Sequence, residues 1–223
     1  MSAITRQIVS VLAALGIGAG LAACGQSVAQ QAGAPAEVSY DIAGISALAD
    51  EFPAGFTVQT GLAKTLSSDD VERAGTQLLT EARLSPAHCL PMILPAYAHP
   101  TVGTRAAGVT AHGALGGVQV TALHLAHPVA PGVSPVGCDR VVVSADGVSG
   151  TAELVPAPAI DGVTTSAVRL IADGPDESAH YIYTAALNED TVVVIRSGLD
   201  DALNPPSFLS RLMVTAVSAL RAR

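Results

Sequence analysis

From Gly103 to Ser197 the chain holds runs rich in β-branched and alternating residues, separated by breaks of glycine, proline, asparagine or aspartate and without an internal repeat. Ala106–His112 and Val118–Ala126 flank Gly113-Ala114-Leu115-Gly116-Gly117. Cys138–Ala145 and Ser149–Val155 flank Asp146-Gly147, and His180–Leu187 and Thr191–Ser197 flank Asn188-Glu189-Asp190. Such connections are hairpin signals, Asp-Gly the strongest of them. Hairpins impose antiparallel pairing, because parallel neighbours need a crossover of a dozen or more residues. Val163–Ala172 adds a further strand that stops at Asp173-Gly174-Pro175, while Pro128, Pro131, Pro135, Pro156 and Pro158 mark loops.

Helical signals bracket this region. Val38–Glu51 fits either a short strand or a helix, Phe52-Pro53-Ala54-Gly55-Phe56 reads as a turn, and Thr57-Val58-Gln59-Thr60 as a brief strand. Ser67-Ser68-Asp69-Asp70 predicts a helix start: a hydroxyl caps free N–H groups, and two carboxylates sit at the positive dipole end. Val71, Gly75, Leu78 and Leu79 carry that helix to about Arg83. Ser85-Pro86 offers a second start, for a short helix carrying Cys89. At the C-terminus Asn204 is the expected cap and Pro205 the first turn. Phe208, Leu209, Leu212, Met213, Ala216, Val217 and Leu220 form one apolar face, expected to pack on the sheet. The order predicts an α+β fold: an antiparallel sheet of about five to seven strands, with helices on one face and an amphipathic C-terminal helix.

The first residues carry an address. Arg6 and the α-amino group precede an apolar run from Ile8 that ends in Leu21-Ala22-Ala23-Cys24. A positive start, an apolar middle and small residues at the cut make a secretory signal. A cysteine directly after them is the lipobox of bacterial lipoproteins. Ile8–Leu21 spans roughly 21 Å as a helix, short of the roughly 30 Å hydrocarbon core. The expected organisation is a signal over residues 1–23, a lipidated Cys24 heading a flexible tether over 24–37, and one extracytoplasmic domain over 38–223. Two or more acyl chains make attachment lasting, at about 0.8 kcal/mol per buried methylene.

Composition narrows the partners. Loss of residues 1–23 removes only Arg6 among the charged side chains, so nineteen carboxylates face the remaining basic residues. Nucleic acid calls for a basic patch, and an anionic lipid surface for basic segments, so neither is expected as a direct ligand. With no tryptophan and seven other aromatics, stacking platforms are scarce. Three cysteines less the lipidated one leave Cys89 and Cys138, which in an oxidising compartment most simply form a disulfide. The other readings of the pair are redox chemistry or metal ligation, and neither thiol sits in a C-x-x-C motif.

Catalytic patterns are absent from the sequence: no G-x-S-x-G, S-x-x-K or H-E-x-x-H, no Walker loop and no dinucleotide fingerprint. His124 and His127 form an H-x-x-H, but at the end of a strand odd spacing sends them to opposite faces. His88 beside Cys89 hints at thiolate activation, which a disulfide removes. His99, His112 and His180 stand alone, and Asp173-Gly174-Pro175-Asp176-Glu177 lacks the spacing of a calcium loop. Ser149 belongs to a hairpin, and Asp69/Asp70 and Asp200/Asp201 to helix starts. No catalytic residue, metal site or cofactor is expected. Two functions remain open: a binding or sensor module for a lipid, an envelope metabolite or an envelope protein, and an envelope hydrolase using a Ser or Thr brought near a histidine by the fold.

Several of these segments resemble uncharacterised mycobacterial lipoproteins that carry a domain of unknown function. The resemblance rests on Phe52-Pro53-Ala54-Gly55-Phe56, Cys89 after a short helix, Gly137-Cys138-Asp139-Arg140-Val141, Gly150-Thr151-Ala152-Glu153 through Ile160-Asp161-Gly162-Val163, and Tyr181–Ile195. It runs from Phe52 to Arg221 and implies no activity. More distantly the chain is similar to the extracellular sensor domain of a mycobacterial Ser/Thr kinase, an α+β domain proposed to bind ligand in a cleft. That domain uses two disulfides and this chain has cysteines for one, so no cleft residue carries over.

Overall fold

Nine strands form one sheet in the computed structural model, which describes residues 38–73, 83–93, 95–132, 135–145, 148–173 and 179–221. They are β1 (Phe56–Thr65), β2 (Arg83–Ser85), β3 (Arg105–Gly113), β4 (Gly116–His124), β5 (Arg140–Ala145), β6 (Val148–Leu154), β7 (Thr164–Ala172), β8 (Ala179–Ala186) and β9 (Thr191–Leu199). Their order is β1-β3-β4-β9-β8-β7-β6-β5-β2, and each neighbouring pair is antiparallel. The three hairpins read from the sequence are β3–β4, β5–β6 and β8–β9. The signal, Cys24, the tether, Asp146-Gly147 and residues 174–178 lie outside the described residues.

The expected strand number is corrected upwards, to nine. The excess comes from the sheet edges. The brief strand at Thr57–Thr60 is part of a ten-residue edge strand, β1, irregular between Gly61 and Lys64. The opposite edge is β2, which begins at Arg83 and so contradicts a helix reaching that residue. Helix α1 covers Ser68–Arg73, and residues 74–82 lie outside the described set. Its start is as expected: Ser67 Oγ accepts from Asp70 N (3.3 Å), and Asp70 Oδ2 accepts from Ser67 N (3.1 Å). Pro86 precedes a 3-10 turn, Ala87–Cys89, rather than opening an α-helix, and Ser85 ends β2 without capping anything. The short helix α2 then runs Leu90–Ile93.

One sheet face carries helix α3 (Pro205–Leu220) and a ten-residue 3-10 helix, Ile42–Glu51. The apolar face of α3 is the one read from its sequence, buried against Val109, Val120, Tyr183, Val193 and Ile195. Asn204 precedes it with a left-handed backbone (φ 48°) and makes no side-chain cap bond; its carbonyl accepts from Ser207 and Phe208 instead. The strand-or-helix ambiguity at 38–51 resolves through Ile42, Ile45 and Leu48. Their spacing of three matches a 3-10 turn and puts all three on the buried side. Asp41 Oδ1 accepts from Ala43 N at 3.0 Å, and Asp41 N donates to Leu220 O at 2.8 Å, tying this helix to the end of α3.

The expectation of helices on one face only is also corrected. Val192, Val193, Val194 and Ile195 of β9 are all buried, so alternation points two of them to each side and both faces need cover. The second face is covered by the segment from Ala87 to Ala98. Met92, Ile93, Cys89 and Cys138 pack on Val141, Ala152 and Val168, and Tyr97 and Ala98 on Leu123, Ala186, Val192 and Val194. The Cys89–Cys138 disulfide fastens this cover (S–S 1.96 Å, Cα–Cα 5.5 Å).

Candidate ligand-binding face

Among the described residues α3 and the sheet meet through buried side chains, whereas the opposite face is partly open. There the cover stops short and leaves a hollow of about 150 Å³. Its floor is Gln119, Thr121 and Leu123 of β4 with Val194 and Arg196 of β9. The register pairs Gln119 with Arg196 and Thr121 with Val194, so these side chains stand in two cross-strand rows of one face. Leu66, Ala98, Pro100 and Ala106 give it apolar walls, and Asp70 stands at its rim.

Arg196 is the charge in this hollow that lacks a counterpart. It is partly buried, burial pushes its guanidinium pKa down, and among the described residues it forms no ion pair. Asp70 does not neutralise it: that carboxylate accepts from Lys64 Nζ (2.7 Å), Arg73 Nη2 (3.1 Å) and Ser67 Oγ (3.0 Å). The hydrogen bond from Lys64, then those from Ser67, hold its pKa far below the usual carboxylate range. The pKa of His99 is pushed down, first by burial and then by the charge of Arg196. A partly desolvated guanidinium beside apolar walls can pair with an anion, and the walls can take an apolar group.

A larger hollow of about 270 Å³ lies between α2 and β7, where Met92, Tyr97, Thr164, Thr165 and Ser166 are part of its lining and no charged side chain is. Its Ser166 and Tyr97 hydroxyls both bond Thr184 Oγ1, at 2.7 and 3.2 Å. That network satisfies itself and leaves little to orient a ligand.

The residues singled out in the sequence fall elsewhere. Cys89 and Cys138 are joined and buried. With His88 they place three donor atoms within 4.8 Å, but the disulfide takes two of the three out of metal chemistry. His88 Nε2 lies 3.4 Å from Val136 O. His124 ends β4 and His127 lies in the loop beyond it. Asp200 Oδ1 accepts from Ala202 N (2.8 Å) and caps a 3-10 turn before α3. Ser149 Oγ donates to Asp173 Oδ2 (2.6 Å).

Among the described residues Thr191, His124 and Asp190 form a hydroxyl–imidazole–carboxylate group, and its geometry is not that of a nucleophile. Thr191 Oγ1 donates to Asp190 Oδ1 (2.7 Å), so its proton is held by the acid and not by His124, whose Nδ1 is 3.4 Å away. The same Nδ1 lies 3.6 Å from Asp190, and Thr191 is 2% exposed. A base must take the hydroxyl proton with one nitrogen and be oriented through the other. Asn188 Oδ1 accepts from Asp190 N and Thr191 N, which marks this cluster as the brace of the β8–β9 turn.

Sequence reasoning missed Arg196, Gln119 and Thr121. The available signal was an arginine directly after Val192–Ile195, a charge within the chain's most apolar strand.

A family model described as a domain of unknown function (DUF5642) matches residues 41–221. No curated protein matches the chain. Among solved structures, an uncharacterized Mycobacterium smegmatis protein (Rv0999 ortholog) is similar, with a TM-score of 0.63 and 22% identity over 82% of this chain and 98% of that one. At that identity the likeness is one of fold.

Proposed function

We propose that this chain, which belongs to the DUF5642 family, is a lipid-anchored module of the cell envelope that binds a small anionic amphiphile on the open face of its sheet. The observation that carries the reading is Arg196, a desolvated guanidinium without an ion-pair partner among the described residues, in the floor of an apolar hollow. Arg196 is partly withdrawn from water, and an anion bound beside it would restore interactions that its guanidinium gives up there. A hollow of about 150 Å³ has room for a group of about benzene size, which sets the scale of the apolar part. Benzoate is therefore the probe and benzyl alcohol its neutral counterpart. In NMR titrations benzoate should bind at least tenfold more tightly, about 1.4 kcal/mol, and Arg196→Gln should bring it down to the level of the alcohol. Equal affinities, or an unaffected Arg196→Gln variant, would overturn the reading.

The address is part of the proposal. Leu21-Ala22-Ala23-Cys24 supports lipidation at Cys24 and attachment to the extracytoplasmic face. Among the described residues no helix is long and apolar enough to cross a membrane. Cys24→Ser should move the protein out of the membrane fraction and remove the acyl mass from the mature N-terminus. Unchanged fractionation would refute the anchor without touching the binding site.

A further inference from the structure

The row next to Arg196 has an unusual composition. The ladder aligns His112, Gly117, Gly198 and His180 across four adjacent strands, so all four face the same side of the sheet as Gln119 and Arg196. Both central positions are bare, and the imidazoles fill the space. A Cβ on Gly117 would lie 3.1 Å from His112 Nδ1, and one on Gly198 would lie 3.0 Å from both Nδ1 and Cε1 of His180. The two rings therefore lean towards each other over a backbone floor, both exposed to solvent.

Charge decides between a cation and an anion here. The His112 row continues to Thr57 and Leu170, and the Gln119 row to Thr110 and Ile182, so no carboxylate stands in this part of either row while Arg196 does.

We infer that His112 and His180, with Gln119 and Arg196, form an oxyanion subsite for a phosphate or sulfate group carried by the ligand. This deepens the binding reading above and rests on its use of Arg196. The ligand class becomes a small amphiphile with a phosphate- or sulfate-type head: the apolar part enters the hollow and the head lies against the two imidazoles.

The test uses inorganic sulfate and benzoate on the folded domain. Sulfate should bind the wild type, and the His112→Ala/His180→Ala double variant should lose at least tenfold in sulfate affinity while benzoate binding changes less than twofold. Gly198→Val, whose Cβ would lie 3.0 Å from the His180 ring and push it aside, should also weaken sulfate although neither histidine is replaced. Arg196→Gln should weaken both probes. Absence of sulfate binding, equal sulfate affinity in the double variant, or stoichiometric zinc binding lost in that variant would overturn the inference. Sulfate binding with no benzoate binding would sustain the oxyanion subsite and refute the apolar one.

Discussion

Replacing Cys89 and Cys138 together by alanine is expected to lower the unfolding free energy by about 4 kcal/mol, read from urea denaturation. The bridge closes a loop with a sequence separation of 49, and in the chain-entropy model a loop of that length removes about that much freedom from the unfolded ensemble. Against a typical domain stability of 5–15 kcal/mol the loss is large. It is also directed. The disulfide ties the Ala87–Ala98 segment to the chain entering β5, and Ala98 of that segment walls the hollow over Arg196. Benzoate affinity should therefore fall as well, even where the domain remains folded. A stability change below about 1 kcal/mol would show that loop closure contributes little here.

Gly44→Val is expected to cost about 3 kcal/mol. A Cβ on Gly44 would run into the carbonyl oxygen of Ala219, a backbone atom of α3 that no rotamer change can move. Either α3 or the 3-10 helix must shift. Lifting the latter starts to expose Ile45 and Leu48, both 0% exposed, each contributing about 1.5–3 kcal/mol when fully buried. Overpacking without separation costs about 1–3 kcal/mol by itself. Gly132→Val is the control, because a Cβ there meets nothing within 4 Å. A Gly44→Val variant that melts with Gly132→Val would refute the close approach of the two helices.

Gly116 shows a similar constraint within the sheet. Its positive φ of 111° suits the β3–β4 turn, and a Cβ would meet the carbonyl of Gly198 on β9. The turn requirement was legible, since a glycine-rich link between two alternating runs calls for a hairpin. The contact with β9 was not, because β9 joins β4 only when the sheet is complete.

The same division runs through the molecule. Strands joined by short turns, and the helix from Pro205, could be read from local patterns because alternation and the spacing of apolar residues report which side is buried. The two-faced cover was half legible: Val192–Ile195 is an unbroken apolar run, the mark of a strand buried on both sides. β2 was not, since three residues at a sheet edge carry no period. The candidate site was the least legible part. Arg196, Gln119, His112 and His180 lie on four strands, and none belongs to a recognisable motif.

By itself the sequence determined the antiparallel hairpins and the amphipathic C-terminal helix, and it made Cys89 and Cys138 the expected pair. Each depends on residues near one another in the chain, or on a count. Only the tertiary structure decided that His112 and His180 share a row across Gly117 and Gly198, and that Arg196 lies beside them under an incomplete cover. The physical reason is the β4–β9 pairing. It joins strands far apart in sequence, its register is set by burial on both faces at once, and no local window of residues contains that balance.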